Sequence, residues 1–465
     1  MNLIQVQEPM KGKKPELPKQ KNLLSNPIIS AILRNRWYPG VLQVITVAVF
    51  GLILFQLLFG PTAAHDNFGT ALTWVLWWPL IPIVFLFLGR FWCAVCPFGA
   101  LSDFVQKIVG NRRKVPRFLK KYGIWIIDAL FILITWSDHV WGVVESPWGS
   151  GLLLLMLTTG VIVSGAFFER RTWCRYLCFL GGLSGNYARA GSLQLRANPA
   201  VCATCKVGAP CYNGNEKAPG CPMFEFPRLM ETSASCNLCA SCIKACPYGS
   251  LQLTTRVPTK ELWFIKKPKI EEAFLAVVIM GIVFVQNITM LAVWKELLAG
   301  LENLTGTTNY AFIFTITFAI AMLIPILLVG LAALVAKVFN HDSLLSNFTR
   351  FGYALIPLDM AGHIAHNLFH LLAEGKAVFF TAFPLFGQPL PVASTAFVSS
   401  PTIQIFQYIL IALGIFASLY TVYRIARKQL KQHNKWLSFA PYAVLIVLLG
   451  AINVFLFMLP MAMRM

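Results

Sequence analysis

Long apolar runs alternate with short polar ones along most of this 465-residue chain. A helix needs roughly 20 mostly apolar residues to cross hydrocarbon. Nine stretches meet that need: 38–60, 71–89, 122–141, 150–168, 271–294, 310–337, 351–373, 406–423 and 436–460. Pro325 falls inside the sixth and Pro357 inside the seventh. Membrane helices tolerate such breaks where neighbouring groups satisfy the freed carbonyls. One long polar region, 169–270, interrupts the pattern and holds ten of the twelve cysteines. The pattern predicts an α-helical integral membrane protein of about nine transmembrane helices with a polar module inserted after the fourth.

Composition agrees with this class. The chain is 57% hydrophobic and 12% charged, too apolar for a soluble protein of this length. The net charge of +20 raises nucleic acid as a partner, but its distribution points elsewhere. With the N-terminus inside, 36 of the 39 Lys and Arg residues fall on the inner side, leaving Lys295, Lys376 and Arg464 outside. This is the positive-inside asymmetry of a membrane protein. We expect contact with membrane lipid and no nucleic-acid partner. The start, MNLIQVQEPMKGKKPELPKQK, lacks the short apolar core of a secretory signal and reads as a basic tail, 1–37. The expected location is the inner membrane of a prokaryote, with the N-terminus and the polar module cytoplasmic and the C-terminus outside.

A cytoplasmic module rich in cysteine points to metal rather than disulfides. The strongest run is CNLCASCIKACP, Cys236 to Pro247, of the form C-x₂-C-x₂-C-x₃-C-P. That is the bacterial ligand run for a [4Fe–4S] cluster, whose fourth cysteine serves a second cluster. A partner run exists in Cys202, Cys205, Cys211 and Cys221-Pro222, with its two later gaps stretched. Crosswise sharing assigns Cys202, Cys205, Cys211 and Cys246 to one cluster, and Cys236, Cys239, Cys242 and Cys221 to the other. The module is thus a double-cluster, ferredoxin-like unit, 171–262.

The other four cysteines form two pairs within a repeat. FWCAVCPFGALS (91–102) parallels TWCRYLCFLGGLS (172–184): Trp92 matches Trp173, Cys93 matches Cys174, Cys96 matches Cys178, and Gly99 matches Gly181. Residues 38–170 therefore read as a duplicated helix-pair membrane unit with cysteine pairs at its cytoplasmic ends. Brought together, Cys93, Cys96, Cys174 and Cys178 could hold a third cluster or another soft metal. Apart, they could be redox thiols or packing residues.

GRFWCAVCPFG and RRTWCRYLCFLGGLS, followed by a double-cluster module, resemble the membrane polyferredoxins, the group of NapH, NosR and CcoG, over roughly residues 38–256. The resemblance implies membrane-associated electron transfer. It also implies two C-x₃-C-P motifs. Here Cys93 and Cys96 are one residue closer, and Phe179 stands where a proline would follow Cys178.

The second half, 263–465, reads as a five-helix membrane domain with one polar helix. Asp359, His363, His366 and His370 share a face within 351–373. Ionisable residues inside a span are costly and are a functional hypothesis by default. They could ligate haem b, with His139 as a partner at similar depth, or form a quinone site, or hold a metal, or serve as polar glue between helices. His65, His341 and His433 read as solvated loop residues.

Together these features predict passage of electrons between cytoplasmic-side [4Fe–4S] clusters and a membrane site, quinone or haem. The chain would then be an electron-transfer subunit of a multi-subunit, quinone-linked oxidoreductase, working with the quinone pool or a redox partner protein. The alternative is an assembly factor that reduces copper or another metal for a partner metalloenzyme.

Overall fold

The computed structural model describes residues 21–429 and 435–460. His433 lies outside the described residues. Helices dominate: α1 (Gly40–Phe59), α2 (Trp78–Leu88), α3 (Pro97–Ile108), α4 (Arg117–Trp141), α5 (Pro147–Phe167), α6 (Phe179–Ala190), then α7 (Ile270–Thr289), α8 (Tyr310–Asn340), α9 (Ile356–Ala373), α10 (Ser400–Gln429) and α11 (Lys435–Met458). Among the described residues, seven helical stretches are long and apolar enough to cross a membrane, or eight if a bent pair at 344–386 counts as one.

Two expected spans differ from the rest. The stretch 122–141 is one continuous helix, α4, but Asp128 and Asp138 dilute its apolar character. The histidine segment is broken: the chain bends by 50° between Leu344–Ala373 and Ala377–Phe386. The second span also runs further than its apolar core. A π-helical turn at Ala71–Trp77 leads into α2, and helical structure continues past Cys93 to the break at Cys96. Wide turns of this kind occur often at functional sites. This one sets Trp74, Trp77 and Trp78 close together, with the Trp78 ring centroid 6.0 Å from each of the other two.

One core joins the two halves. Ile81, Phe85, Leu183 and Tyr187 pack with Leu275, Ile279, Tyr353, Met360 and Ile364. The first half is therefore buried directly against α7 and the histidine helix α9.

The cysteine module is framed by a two-stranded antiparallel sheet, β1 (Leu193–Ala197) and β2 (Leu251–Thr255), with Leu195 opposite Leu253. Between them the chain is mostly loop, as expected where thiolates rather than backbone ladders fix the shape. The insertion that stretches the first cysteine run folds as a small hairpin, Gly214–Asn215 on Ala218–Pro219. It returns the backbone N–H of Cys221 to the carbonyl of Tyr212, beside Cys211 (3.1 Å). The insertion thus adds length without separating the cysteines.

The described part of the basic tail is structured. Asn26 caps the helix Pro27–Arg34, and Leu23, Leu24, Ile29 and Leu33 pack on the module. Tyr38 donates to the carbonyl of Leu238 at 2.9 Å, and Lys244 donates to the carbonyl of Tyr38 at 2.6 Å. The apolar residues between its charges give this part of the tail a docking face.

A buried ionic knot fastens module to membrane unit. Glu261 accepts from Ser233 N–H (2.7 Å) and from the guanidinium groups of Arg196 and Arg256. Arg256 in turn donates to the carbonyls of Ala188 and Gly191, at the end of α6. Burial pulls the Arg256 guanidinium down to about 10, against Glu261, which supports its charge. Glu261→Ala strands that charge, a change that typically costs about 3–5 kcal/mol. We expect a lower unfolding midpoint in detergent and faster proteolysis within 198–260, with the membrane helices still protected.

Candidate iron–sulfur sites

The module gathers its eight cysteines into two neighbouring groups. The Cys211 thiol is pushed up to about 11 by burial and by Cys246, Cys202 and Cys205. Burial holds Cys242 well above the usual thiol range, with Cys236, Cys239, Cys221 and Cys211 adding to it. Cys236 is pushed up to about 12 by burial, an N–H from Leu238 opposing and Cys239 and Cys221 adding. Thiols so close cannot all ionise without a cation to take up the charge.

Local backbone supports ligation. Leu238 and Ala240, on either side of Cys239, adopt left-handed conformations (φ 55° and 60°), as does Ala209 ahead of Cys211 (φ 55°). Non-glycine residues pay about 1–2 kcal/mol for that conformation, which persists where the surroundings impose it. The resulting loop wraps a small cavity lined jointly by Cys221, Cys236, Cys239 and Cys242. Ser250 N–H donates to Cys246 Sγ at 3.4 Å, and Ser250 Oγ lies 3.0 Å from Cys202 Sγ. Hydrogen bonds to sulfur tune a cluster's potential.

The two membrane-edge pairs also converge. Burial holds Cys178 well above the usual thiol range, and Cys174, Cys96 and Cys93 each add to it. Burial likewise raises Cys174; Arg171 opposes, Cys93 and Asp103 add, and Arg90 opposes again. Each pair stands at the start of a 12-residue helix, α3 after Cys96 and α6 after Cys178. The N–H groups of Phe98 and Gly99 donate to Cys96, and that of Gly181 donates to Cys178. Two helix N-termini therefore face one set of sulfurs, an arrangement that favours negative charge. Ser184 Oγ, in the second repeat, lies 3.7 Å from Cys93 Sγ in the first.

Among the described residues, no group of three or more His, Cys, Asp and Glu side chains closes around a single ion. Thiolates on the corners of an iron–sulfur cube stand wider apart than the ligands of one ion.

The histidine helix is divided in its contacts. His363 is buried, its Nδ1 3.2 Å from Tyr187 Oη and its ring 5.7 Å from Trp78. Its Nε2 and both oxygens of Asp359 have no hydrogen-bond partner. Trp78 lies 6.5 Å from Phe179, the neighbour of Cys178, and Trp77 lies 5.7 Å from Trp92, the neighbour of Cys93. One aromatic layer thus separates His363 from the four cysteines.

His366 faces another way. Its Nδ1 meets Asn287 Oδ1 at 2.8 Å, and both line a cavity of ≈ 370 Å³ with Gln404, Gln407 and apolar residues of α9, α10, α11 and the turn after α7. The side-chain N–H₂ of Asn287 has no partner there. His370 pairs with Glu374 at 3.1 Å. His139 is committed elsewhere: Nδ1 meets the Thr135 carbonyl at 2.9 Å and Nε2 meets Thr289 Oγ1 at 3.2 Å. Thr289 and Asn287 are two residues apart on α7, on opposite faces of that helix. So α7 stands between His139 and His366. His370, whose similar depth suggested His139 as a haem partner, is hydrogen-bonded to Glu374. Asn287 and Gln407 were missed in the sequence. Their signal was present: uncharged polar side chains inside spans.

Residues 70–116 and 150–197 each match a protein family described as a 4Fe-4S binding domain. The two matched stretches are the two repeats, one holding Cys93 and Cys96 and the other Cys174 and Cys178. Among curated proteins, the chain is similar to "Putative electron transport protein YccM" of Escherichia coli (strain K12), 24% identical over 193 residues, 36% of this chain and 52% of that protein. It is also similar to the uncharacterized protein MJ0749 of Methanocaldococcus jannaschii, 27% identical over 183 residues, 38% of this chain and 69% of that protein. The chain thus spans about half the length of the first and about two thirds of the second. No solved structure matches. The matches and the long apolar helices together support an iron–sulfur electron-transfer protein of the membrane.

The grouping makes a specific prediction. Cys211→Ser and Cys246→Ser should perturb the same reduced-state paramagnetic signal, and Cys221→Ser a different one. Cys211→Ser and Cys221→Ser perturbing one signal in common would contradict crosswise sharing.

Proposed function

We propose that this chain carries electrons between a partner at the double-cluster module and a quinone inside the membrane, by way of a third cluster at the membrane edge. The observation that carries this reading is the convergence of Cys93, Cys96, Cys174 and Cys178, from two repeats that each match a 4Fe-4S binding domain. In it, Cys202, Cys205, Cys211 and Cys246 hold one cluster, Cys236, Cys239, Cys242 and Cys221 the second, and the repeat cysteines the third. The clusters supply one-electron carriers.

The residues of the chain do the rest. Arg171 ties the sites together: burial works against its charge, and Asp103, Cys174 and Cys239 sustain it. It therefore stands between the membrane-edge cysteines and the second module group. Beyond the aromatic layer, His366 is three residues further along α9 than His363, a rise of about 4.5 Å. The cavity beside it falls within the usual size of small-molecule pockets, roughly 300–1,000 Å³. The open N–H₂ of Asn287 can donate to a quinone carbonyl, and His366 can exchange a proton with it. Two electrons and two protons convert the quinone to quinol, or the reverse. The orientation that the charge asymmetry favours puts the module in the cytoplasm, so the partner there is a soluble redox protein or a companion subunit.

The test uses anaerobically purified full-length protein. Three clusters require about twelve iron and matching sulfide per chain. Dithionite-reduced protein should be reoxidised by a short-chain quinone. Asn287→Leu should slow reoxidation at least tenfold, about 1.4 kcal/mol, with iron content unchanged. Eight or fewer irons would remove the third cluster. Unaltered reoxidation in Asn287→Leu would remove the quinone from this cavity. Copper bound at Cys93 and Cys96 in place of iron would turn the reading towards metal handling.

A further inference from the structure

Each repeat carries an arginine three residues ahead of its first cysteine, Arg90 before Cys93 and Arg171 before Cys174. Both are almost wholly buried, 4% and 2% exposed. Each crosses onto the opposite repeat. Arg171 donates Nη1–H to the carbonyl of Cys93 at 3.1 Å and fills the space above Gly99, where a Cβ would stand 1.9 Å from Nη1. Arg90 lies over the second repeat, where a Cβ on Gly181 would be 3.6 Å from its Nη2. Gly99 and Gly181 are the equivalent glycines of the two copies, so the crossing follows the duplication.

The charges break the symmetry. Arg171 is held by Asp103, with Nε and Nη2 donating to Oδ2 at 2.9 and 2.6 Å. Arg90 donates Nη1–H to the carbonyl of Ala234, two residues before Cys236. Its Nε–H and Nη2–H₂ have no hydrogen-bond partner. A buried guanidinium with unpaired donors is costly unless an anion faces it. What faces it is the second repeat: a Cβ on Gly181 would lie 3.4 Å from Cys178 Cβ and 3.6 Å from Arg90 Nη2, and the Arg90 charge acts on Cys174.

We propose that Arg90 is the counter-charge and positioning residue of the membrane-edge metal centre, setting its reduction potential, while the Arg171–Asp103 pair is its near-neutral counterpart. Reduction adds one negative charge to a centre in a low-dielectric setting. The uncompensated guanidinium of Arg90 stabilises the reduced form and raises the potential. Its bond to Ala234 also fixes the loop that carries Cys236 against the membrane unit. The inference rests on the third-cluster reading.

Potentiometric titration followed by electron paramagnetic resonance tests it on the full-length protein. Iron is counted first. Arg90→Gln should keep its iron and lower the potential of the third signal. The expected shift is at least tenfold in the oxidised-to-reduced ratio at fixed potential, 59 mV for a one-electron couple. Arg90→Lys should recover most of that shift. Asp103→Asn, which unmasks Arg171, should move the same signal upward and decides the matter if Arg90→Gln loses iron. An unmoved potential in an iron-replete Arg90→Gln protein, or in Asp103→Asn, overturns the proposal. A wild-type protein with no third signal overturns the underlying reading instead.

Discussion

The arrangement depends on bringing four half-buried cysteines to one place at the end of a membrane helix pair. Burial resists ionisation of the Cys174 and Cys178 thiols, and neighbours make it harder. The chain answers with features that all favour negative charge: two helix N-termini, backbone N–H groups aimed at Cys96 and Cys178, and two buried arginines. None of these alone would indicate a metal centre. Together they surround the sulfurs with donors, and one of them, Arg90, keeps Nε and Nη2 without another partner.

Placement follows from duplication. A single helix pair ends in two cysteines and cannot surround a cube. Two copies side by side set both pairs at one depth and let each arginine reach across. The module then docks on this platform through Arg256, Glu261 and the Arg90–Ala234 bond, so the sites sit in sequence from the module to the membrane. On the other side, the Trp77–Trp78–Phe179 layer leads to His363 and Tyr187. The polar face of α9 is thereby split: His363 meets Tyr187 and Trp78 on the side of the repeats, while His366 looks into the cavity beside Asn287.

Much of this was legible in the sequence, because cysteine spacing and apolar run length are local signals. The two cysteine runs suggested grouping Cys211 with Cys246, and Cys246 stands close enough to act on Cys211 even though a hairpin lengthens the first run. The helix-pair repeat was visible from Trp92 and Trp173 onward. What escaped depends on azimuth and on contacts between distant segments. Periodicity gives His139 and His370 similar depths, but it does not show that His139 and His366 meet opposite sides of α7. Asn287 and Gln407 become neighbours only when α7, α9 and α10 pack. The matching positions of Arg90 and Arg171 were present in the repeat, but their crossing needed coordinates.

The most direct measurement is anomalous scattering at the iron edge from crystals of the anaerobic protein. The account predicts three iron peaks, one of them enclosed by Cys93, Cys96, Cys174 and Cys178 and lying between the module and the Trp77–Trp78 layer. Two peaks confined to the module, with the four membrane-edge sulfurs bare or joined as disulfides, would contradict it.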